Sequence, residues 1–290
     1  MIKMRRIFVI VVVALLTPAA LYGAWLLIRV FVMDTFIIPS TSMLPVLKPG
    51  DRVLVDKTIM GARLYTDFDF NPEGGTLRCW RTRGVRSVRV NDIVVFNYPR
   101  HKKRISFVIN HVYCKRCIAL PGDSISIVQG YYVNNNHAGV LGHKESQDNL
   151  ATMADSVAVG SKTYRLSYYK HLSWTVLDFG PLYVPREGDM VSITPREACM
   201  YKPILEWETG RKVSYNMKTG EVWADSTELT SHRFMHNYYF MAGDNVLDSS
   251  DSRYWGLVPE EYIVGIVTQI LYSKDSHTGK YRDKRWFKKV

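Results

Sequence analysis

Several things are scarce in this 290-residue chain. It has four cysteines, Cys79, Cys114, Cys117 and Cys199. Cys114-x-x-Cys117 looks like half a zinc site or a redox pair, but no second Cys-x-x-Cys follows, and neither a metal nor another cofactor is expected. No internal repeat and no low-complexity tract is present, which sets aside stacked-repeat and fibrous architectures. Long apolar runs are equally rare. Ile7 to Val32 is almost uninterrupted, with Arg29 as its one charge, and it exceeds the roughly 20 residues that cross a bilayer. Nothing later matches its length. Acidic residues are outnumbered, 27 against 38 Lys and Arg, for a net charge of +11.

Lys3, Arg5 and Arg6 precede the apolar run and predict a cytoplasmic N-terminus. A cleaved leader has an apolar core of roughly 7–15 residues before a small-residue site. Here apolar sequence continues past Ala19-Ala20 and Gly23-Ala24 to Met33, so a retained anchor is expected. Pro18 is tolerable within a membrane helix, and Arg29 can snorkel to the interface. Residues 33–290 are then expected outside the cytoplasm, single-pass. Disulfides are permitted there, but residues three apart on a strand face opposite sides. Cys114 and Cys117 therefore read as separate thiols, with a bridge through Cys79 or Cys199 as the alternative. The positive charge suits anionic lipid. Lys280 to Val290 interleaves Lys280, Arg282, Lys284, Arg285, Lys288 and Lys289 with Tyr281, Trp286 and Phe287, a pattern suited to a membrane interface or to a solvated tail. An exported domain is not expected to bind nucleic acid.

The exported part reads as mainly β. Asp51–Lys57 alternates apolar and polar residues. Ile93–Phe96 follows the Asn91-Asp92 turn, and 105–120 forms a long strand-like run ending at Pro121-Gly122-Asp123. Ser124–Val128, Tyr131–Val133, Tyr238–Ala242 and Tyr262–Tyr272 complete the candidates. Two stretches interrupt: 58–90, loop-like and arginine-rich, and 134–232, long enough for a subdomain. The expected division is a cytoplasmic stub at 1–6, an anchor at 7–32, a β core from 33–133 and 233–275, an inserted cap at 134–232 and a basic tail at 276–290.

Three segments carry candidate chemistry. Ser42 lies a few residues beyond the anchor in a turn-forming stretch containing Pro39, Pro45, Pro49 and Gly50. A serine hydroxyl attacks only when a base takes its proton. Lysine can be that base if burial keeps its amine neutral. Lys115 sits in an apolar strand-like run, where the alternative is an edge-strand lysine reaching solvent. Gly243 to Gly256 is a dense polar loop in which Ser249 can hold a lysine amine and Asp251 can pair with Arg253.

Together these segments resemble the bacterial type I signal peptidases. Ile38-Pro39-Ser40-Thr41-Ser42-Met43-Leu44-Pro45, with Gly50-Asp51-Arg52-Val53-Leu54-Val55-Asp56-Lys57, is similar to the family's nucleophile box. Tyr113-Cys114-Lys115-Arg116-Cys117-Ile118-Ala119-Leu120-Pro121-Gly122-Asp123 is similar to its lysine box. Gly243-Asp244-Asn245 with Asp251-Ser252-Arg253-Tyr254-Trp255-Gly256 is similar to its C-terminal box. The resemblance implies a mainly antiparallel β catalytic core with an inserted cap, preceded by one transmembrane helix. It implies Ser42 as nucleophile, Lys115 as general base, and the Ser42 N–H with the Ser40 hydroxyl as oxyanion hole. Ser249 would orient Lys115, with Asp251 and Arg253 in support. Phe36, Ile38, Met43, Leu47, Tyr113 and Cys114 would wall the substrate pocket. The implied substrates are exported preproteins cut after small residues in Ala-x-Ala-like sites. Departures are Val46 where threonine is common, Val246-Leu247-Asp248 in place of a more polar stretch, and Cys114 and Cys117 around the lysine. Two alternatives are a Ser–Lys processing protease with one dedicated substrate and an inactive tethered binding domain. Retention of Ser42, Lys115 and Ser249 together argues against the last.

Overall fold

The computed structural model describes all residues except Met1, Asp69, 154–165, Lys170 and His277. Part of the expected cap at 134–232 therefore lies outside the described residues, as do the side chains of Lys3 and Arg6.

Helix α1 (Ile2–Phe31) is, from Ile10 onward and apart from Arg29, apolar all round rather than along one stripe, as a helix surrounded by lipid is. From Ile10 to Phe31 its mean hydropathy is 2.1 and none of it is buried against the protein, so its length and composition suffice to cross a bilayer. The chain passes directly from α1 into β1 (Met33–Ile37) and then through β2 (Asp51–Asp56), β3 (Ile93–Asn97), β4 (Val112–Ala119), β5 (Ser124–Val128), β6 (Tyr131–Asn134), β7 (Phe179–Tyr183), β8 (Tyr238–Ala242), β9 (Val258–Pro259), β10 (Ile263–Ser273) and β11 (Lys288–Lys289). Eight of these form one sheet in the order β1-β2-β10-β3-β4-β8-β9, with β11 also on β10. The pairings are antiparallel. Register shifts along β10 let the long strand bend, so the sheet curls.

Alternation explains the layering. Val53 and Val55 of β2, Ile93 and Val95 of β3, and Val267 and Ile270 of β10 point into a small core with Ile38, Met43 and Leu47. Val94 and Phe96 point the other way, into a second core with Cys117, Tyr239, Met241 and Ile266. Both faces of β3 are thus covered, as its unbroken apolar sequence requires. Cys114 and Cys117 face different cores, and all four cysteines are free.

Three sequence expectations need correction. The run 105–120 is not one strand. Arg104–Ile105 pairs in a short hairpin with Arg100–His101, and β4 starts only at Val112. Segment 58–90 is not a free loop. Arg63–Tyr65 pairs with Cys79–Arg81, Met60 and Val88 enter the second core, and Arg63 and Arg81 donate to the carbonyls of Glu261, Tyr262 and Ile263. Segment 134–232 is more than polar loops and short strands. It holds helix α2 (Lys144–Ala151) and a long helix, α3 (Pro195–Thr209). Thr194 with Glu197 makes a capping box, Pro195 opens the helix and Gly210 closes it at φ +67°. Those signals are in the sequence. They were masked because Ala198–Tyr201 and Pro203–Leu205 are all buried, leaving no amphipathic stripe. The segment also shares its core with the sheet: Phe179, Tyr201 and Ile204 pack in one cluster with Ile118, Ala119 and Phe240.

Candidate active site

Residues 38–51 form a loop whose ends are tied to each other. The Ile38 N–H donates to the Asp51 carbonyl at 2.9 Å and the Gly50 N–H to the Ile38 carbonyl at 2.8 Å. Inside, the Leu44 N–H reaches the Thr41 carbonyl at 3.0 Å and the Leu47 N–H the Met43 carbonyl at 2.8 Å. Buried Met43 and Leu47 pin the loop to the core beneath it. Ser42 is thereby presented on a rigid turn at 7% exposure.

Lys115 arrives from the sheet. β4 runs between β3 and β8, so it is an interior strand, and Lys115 is only 4% exposed. A solvent-reaching edge lysine is ruled out by that position. The Lys115 Nζ and Ser42 Oγ share a short hydrogen bond across 73 residues of sequence. Burial is the largest influence on Lys115 and lowers its pKa, while the charge of Asp251 pulls the other way. The next residue, Arg116, forks onto Asp244, 2.6 Å to each oxygen.

The third segment packs behind this pair. Asp251 accepts from the Arg253 Nε at 2.8 Å and Nη2 at 2.7 Å, and from the Gly243 N–H at 3.0 Å. Burial alone would raise the Asp251 carboxyl, but the Arg253 charge and these hydrogen bonds outweigh it and hold it below its ordinary value. The same loop grips the serine turn: the Asn245 N–H donates to the Ser42 carbonyl at 3.1 Å, the Asn245 Nδ2 to the Thr41 carbonyl at 3.2 Å, and the Thr41 hydroxyl to Asp248 at 2.6 Å. The approach is too close for a side chain at Gly243. A Cβ there would lie 2.2 Å from the Ser249 Oγ and 2.4 Å from the Ser42 carbonyl oxygen.

Ser249 differs from expectation. It is buried in this loop, yet its hydroxyl forms no hydrogen bond with Lys115 or any other described group, although it lies near enough to Asp251 to help hold that carboxylate down. The Ser40 Oγ stands 3.3 Å from the Ser42 Oγ. The Ser42 backbone N–H meets no acceptor among the described hydrogen bonds, so it remains able to donate.

Two connected hollows open beside the pair. One, about 330 Å³, is lined by Ile38, Ser40, Ser42, Met43, Tyr113, Cys114 and Lys115 among others. The other, about 540 Å³, runs from Ile38, Tyr113 and Cys114 past Phe36 to the end of α1 at Arg29. Leu47 lines neither, because it is fully buried beneath the serine turn. Cys114 lines both, yet enough protein surrounds its sulfur for burial to push the thiol up to about 12. The sequence reading missed Asn245, the Thr41–Asp248 contact and the Arg116–Asp244 fork. The last two join residues more than a hundred positions apart, and no local spacing announces them.

The arrangement offers a desolvated amine on a serine hydroxyl, two donors beside it and a hollow for an extended chain. Comparison with known proteins gives the family. The family described as signal peptidase, peptidase S26, matches residues 4–272. Signal peptidase I of Buchnera aphidicola subsp. Baizongia pistaciae (strain Bp) is 27% identical over 254 residues, covering 84% of this chain and 71% of its own. That of Aquifex aeolicus (strain VF5) is 28% identical over 255 residues, covering 86% and 80%. That of Pseudomonas aeruginosa is 28% identical over 255 residues, covering 83% and 65%.

Proposed function

We propose that this chain, which belongs to the S26 signal peptidase family and removes signal peptides as a serine hydrolase, attacks with Ser42 and uses Lys115 as general base. The observation that carries the reading is the buried Ser42–Lys115 hydrogen bond. Burial lowers the Lys115 pKa and so favours the neutral amine, whose lone pair takes the hydroxyl proton as the Ser42 Oγ bonds to the scissile carbonyl carbon. The carbonyl oxygen becomes an oxyanion, to which the Ser42 N–H and the Ser40 hydroxyl would donate. Collapse breaks the C–N bond. The Lys115 ammonium returns the proton to the leaving amine, and an acyl-enzyme ester remains on Ser42. Lys115 then deprotonates a water, which attacks the ester. The signal peptide leaves with a new carboxylate, and the Ser42 hydroxyl is restored.

Asp251 and Arg253 support the loop packed behind Lys115, and Ser249 in that loop would orient the amine. The hollow walled by Ile38, Met43, Tyr113 and Cys114 favours small side chains, in keeping with Ala-x-Ala-like sites. Phe36 contributes further along the extended hollow, where residues upstream of the cut would lie. The α1 helix serves as a single-pass anchor with its N-terminus in the cytoplasm, leaving the sheet on the extracytoplasmic side of the bacterial plasma membrane. Exposed Tyr281, Trp286 and Phe287 with nearby lysines suit anionic lipid headgroups. The core at 33–133 and 233–275 would then be the catalytic unit, and 134–232 its cap.

The test is cleavage of a preprotein by purified enzyme in detergent. Ser42→Ala and Lys115→Ala should each abolish product while leaving the unfolding transition in place. Wild-type activity should rise with pH as the lysine loses its proton. Full activity in either variant, or a rate indifferent to pH from mildly acidic to alkaline, would sink the pairing.

A further inference from the structure

The basic tail does more than carry charge. Its arginines turn inward. The Arg285 Nε donates to Asp51 at 2.9 Å, its Nη2 donates to the other oxygen of the same carboxylate, and Nη2 also reaches the Val46 carbonyl at 3.0 Å. Asp51 is fully buried and accepts the Lys48 N–H at 2.8 Å as well. Arg282 donates to the Pro49 carbonyl at 2.8 Å and to the Ser273 hydroxyl at 2.8 Å, while Asp275 holds its other end at 2.8 Å. The backbone crosses closely here. The Lys274 N–H donates to the Gly50 carbonyl at 3.0 Å, and a Cβ on Gly50, whose φ is +90°, would lie 1.9 Å from the Lys274 carbonyl oxygen. Only glycine fits that crossing. The Arg285 contacts, the Arg282–Pro49 hydrogen bond and the Gly50–Lys274 crossing all land on residues 46–51, the second half of the loop that presents Ser42.

Tyr272, Tyr281 and Trp286 pack against one another in tilted and edge-on arrangements, with ring centroids 5.3–5.8 Å apart, and β11 pairs with β10 at Gln269 and Ile270. The tail is thus fastened to the sheet on one side and grips the serine loop on the other. The loop's front half is held separately, by Asn245 and Asp248.

We propose that the C-terminal tail is a clasp for the nucleophile loop, in which Arg285 is the positioning residue that keeps the Ser42 hydroxyl on Lys115 and Arg282 fastens the tail beside it. The proposal rests on the Ser42–Lys115 reading. Its energetic logic is that a displacement of about 1 Å at a reacting atom can cost roughly 10²-fold in rate. A loop tied at one half only has that freedom. Burial of Asp51 makes the Arg285 fork the decisive contact, because water cannot replace it there.

The experiment compares Arg285→Met, Arg285→Lys and wild type on a preprotein in detergent. Expected for Arg285→Met is a kcat lowered roughly tenfold or more with KM within about twofold, since substrate touches the hollows and not the tail. Arg285→Lys keeps the cation but loses the fork, and should fall between. Ethylguanidine should restore activity to Arg285→Ala, and not to wild type, by refilling the guanidinium site. If Arg285→Met fails to fold, Arg285→Lys and the ethylguanidine rescue still decide. Unchanged kcat in the folded variants, or a loss that merely follows the folded fraction with no rescue, overturns the clasp. Failure of the underlying reading has a different signature: activity would survive Ser42→Ala or Lys115→Ala, whatever Arg285 does.

Discussion

Of the arginine–aspartate forks around the Ser42–Lys115 pair, Arg253–Asp251 and Arg285–Asp51 are built at opposite ranges. Arg253 and Asp251 are two residues apart, and neither side chain has any exposure. Arg285 and Asp51 are 234 residues apart, with the arginine 9% exposed and the aspartate fully buried. The near pair shapes one loop from within and supplies a negative charge close to Lys115. The distant pair shapes nothing locally; it fixes one segment against another. A fork inside a loop sets the loop's own form, whereas a fork between segments sets where a loop sits.

The comparison predicts unequal consequences of breaking each fork. Arg253→Met strands a fully buried carboxylate, which keeps only backbone donors such as the Gly243 and Arg253 N–H groups. Removing one partner of a buried pair costs about 3–5 kcal/mol. Denaturant unfolding of Arg253→Met should show a loss of that size together with loss of preprotein cleavage. Arg285→Met should cost less stability, because its arginine keeps some access to water. A loss under about 1 kcal/mol for Arg253→Met would mean that burial does not separate the two forks.

The near fork was legible in the sequence and the distant one was not, for a physical reason. Asp251 and Arg253 lie in one polar loop, where spacing alone brings them together. The apolar helix α1, the alternation of β2 and the buried run of β10 are local signals of the same kind. Arg285 read as one of six cations in a tail, and nothing near it in sequence says that its partner is Asp51. Lys115 shows the same limit. Its segment alone favoured an edge strand reaching solvent, and only the strand order, with β3 and β8 on either side, buries it. Helix α3 was hidden by being buried on too many sides to show a stripe. Leu47 was misjudged because a turn residue beside a nucleophile can point into the core as readily as into the pocket.

Lys115→Met sharpens what the near fork surrounds. The folded pKa of Lys115 lies below its ordinary 10.5, so between the two values the unfolded chain binds more protons than the folded one. Wild-type stability therefore rises with pH across that window and falls as pH drops through it. Methionine does not titrate. The Lys115→Met protein, inactive in cleavage, should be more stable than wild type at neutral pH, and its advantage should shrink as pH climbs toward 10.5. Urea unfolding at a series of pH values checks this. A gap that stays constant with pH would mean that the amine keeps its proton in the folded protein, which removes the base.

The smallest effect tests whether burial or the number of contacts governs the clasp. Arg282 and Arg285 each donate three hydrogen bonds. They differ in surroundings: Arg282 and its partner Asp275 are 25% and 28% exposed. Exposed pairs contribute about 0–1 kcal/mol and are screened by salt. Arg282→Met should therefore lower stability by less than about 1 kcal/mol and leave kcat within roughly twofold of wild type, and the difference should narrow further in high salt. Equal losses for Arg282→Met and Arg285→Met would make contact number the governing quantity. The buried Asp51 would then hold no special place in the grip on the serine loop.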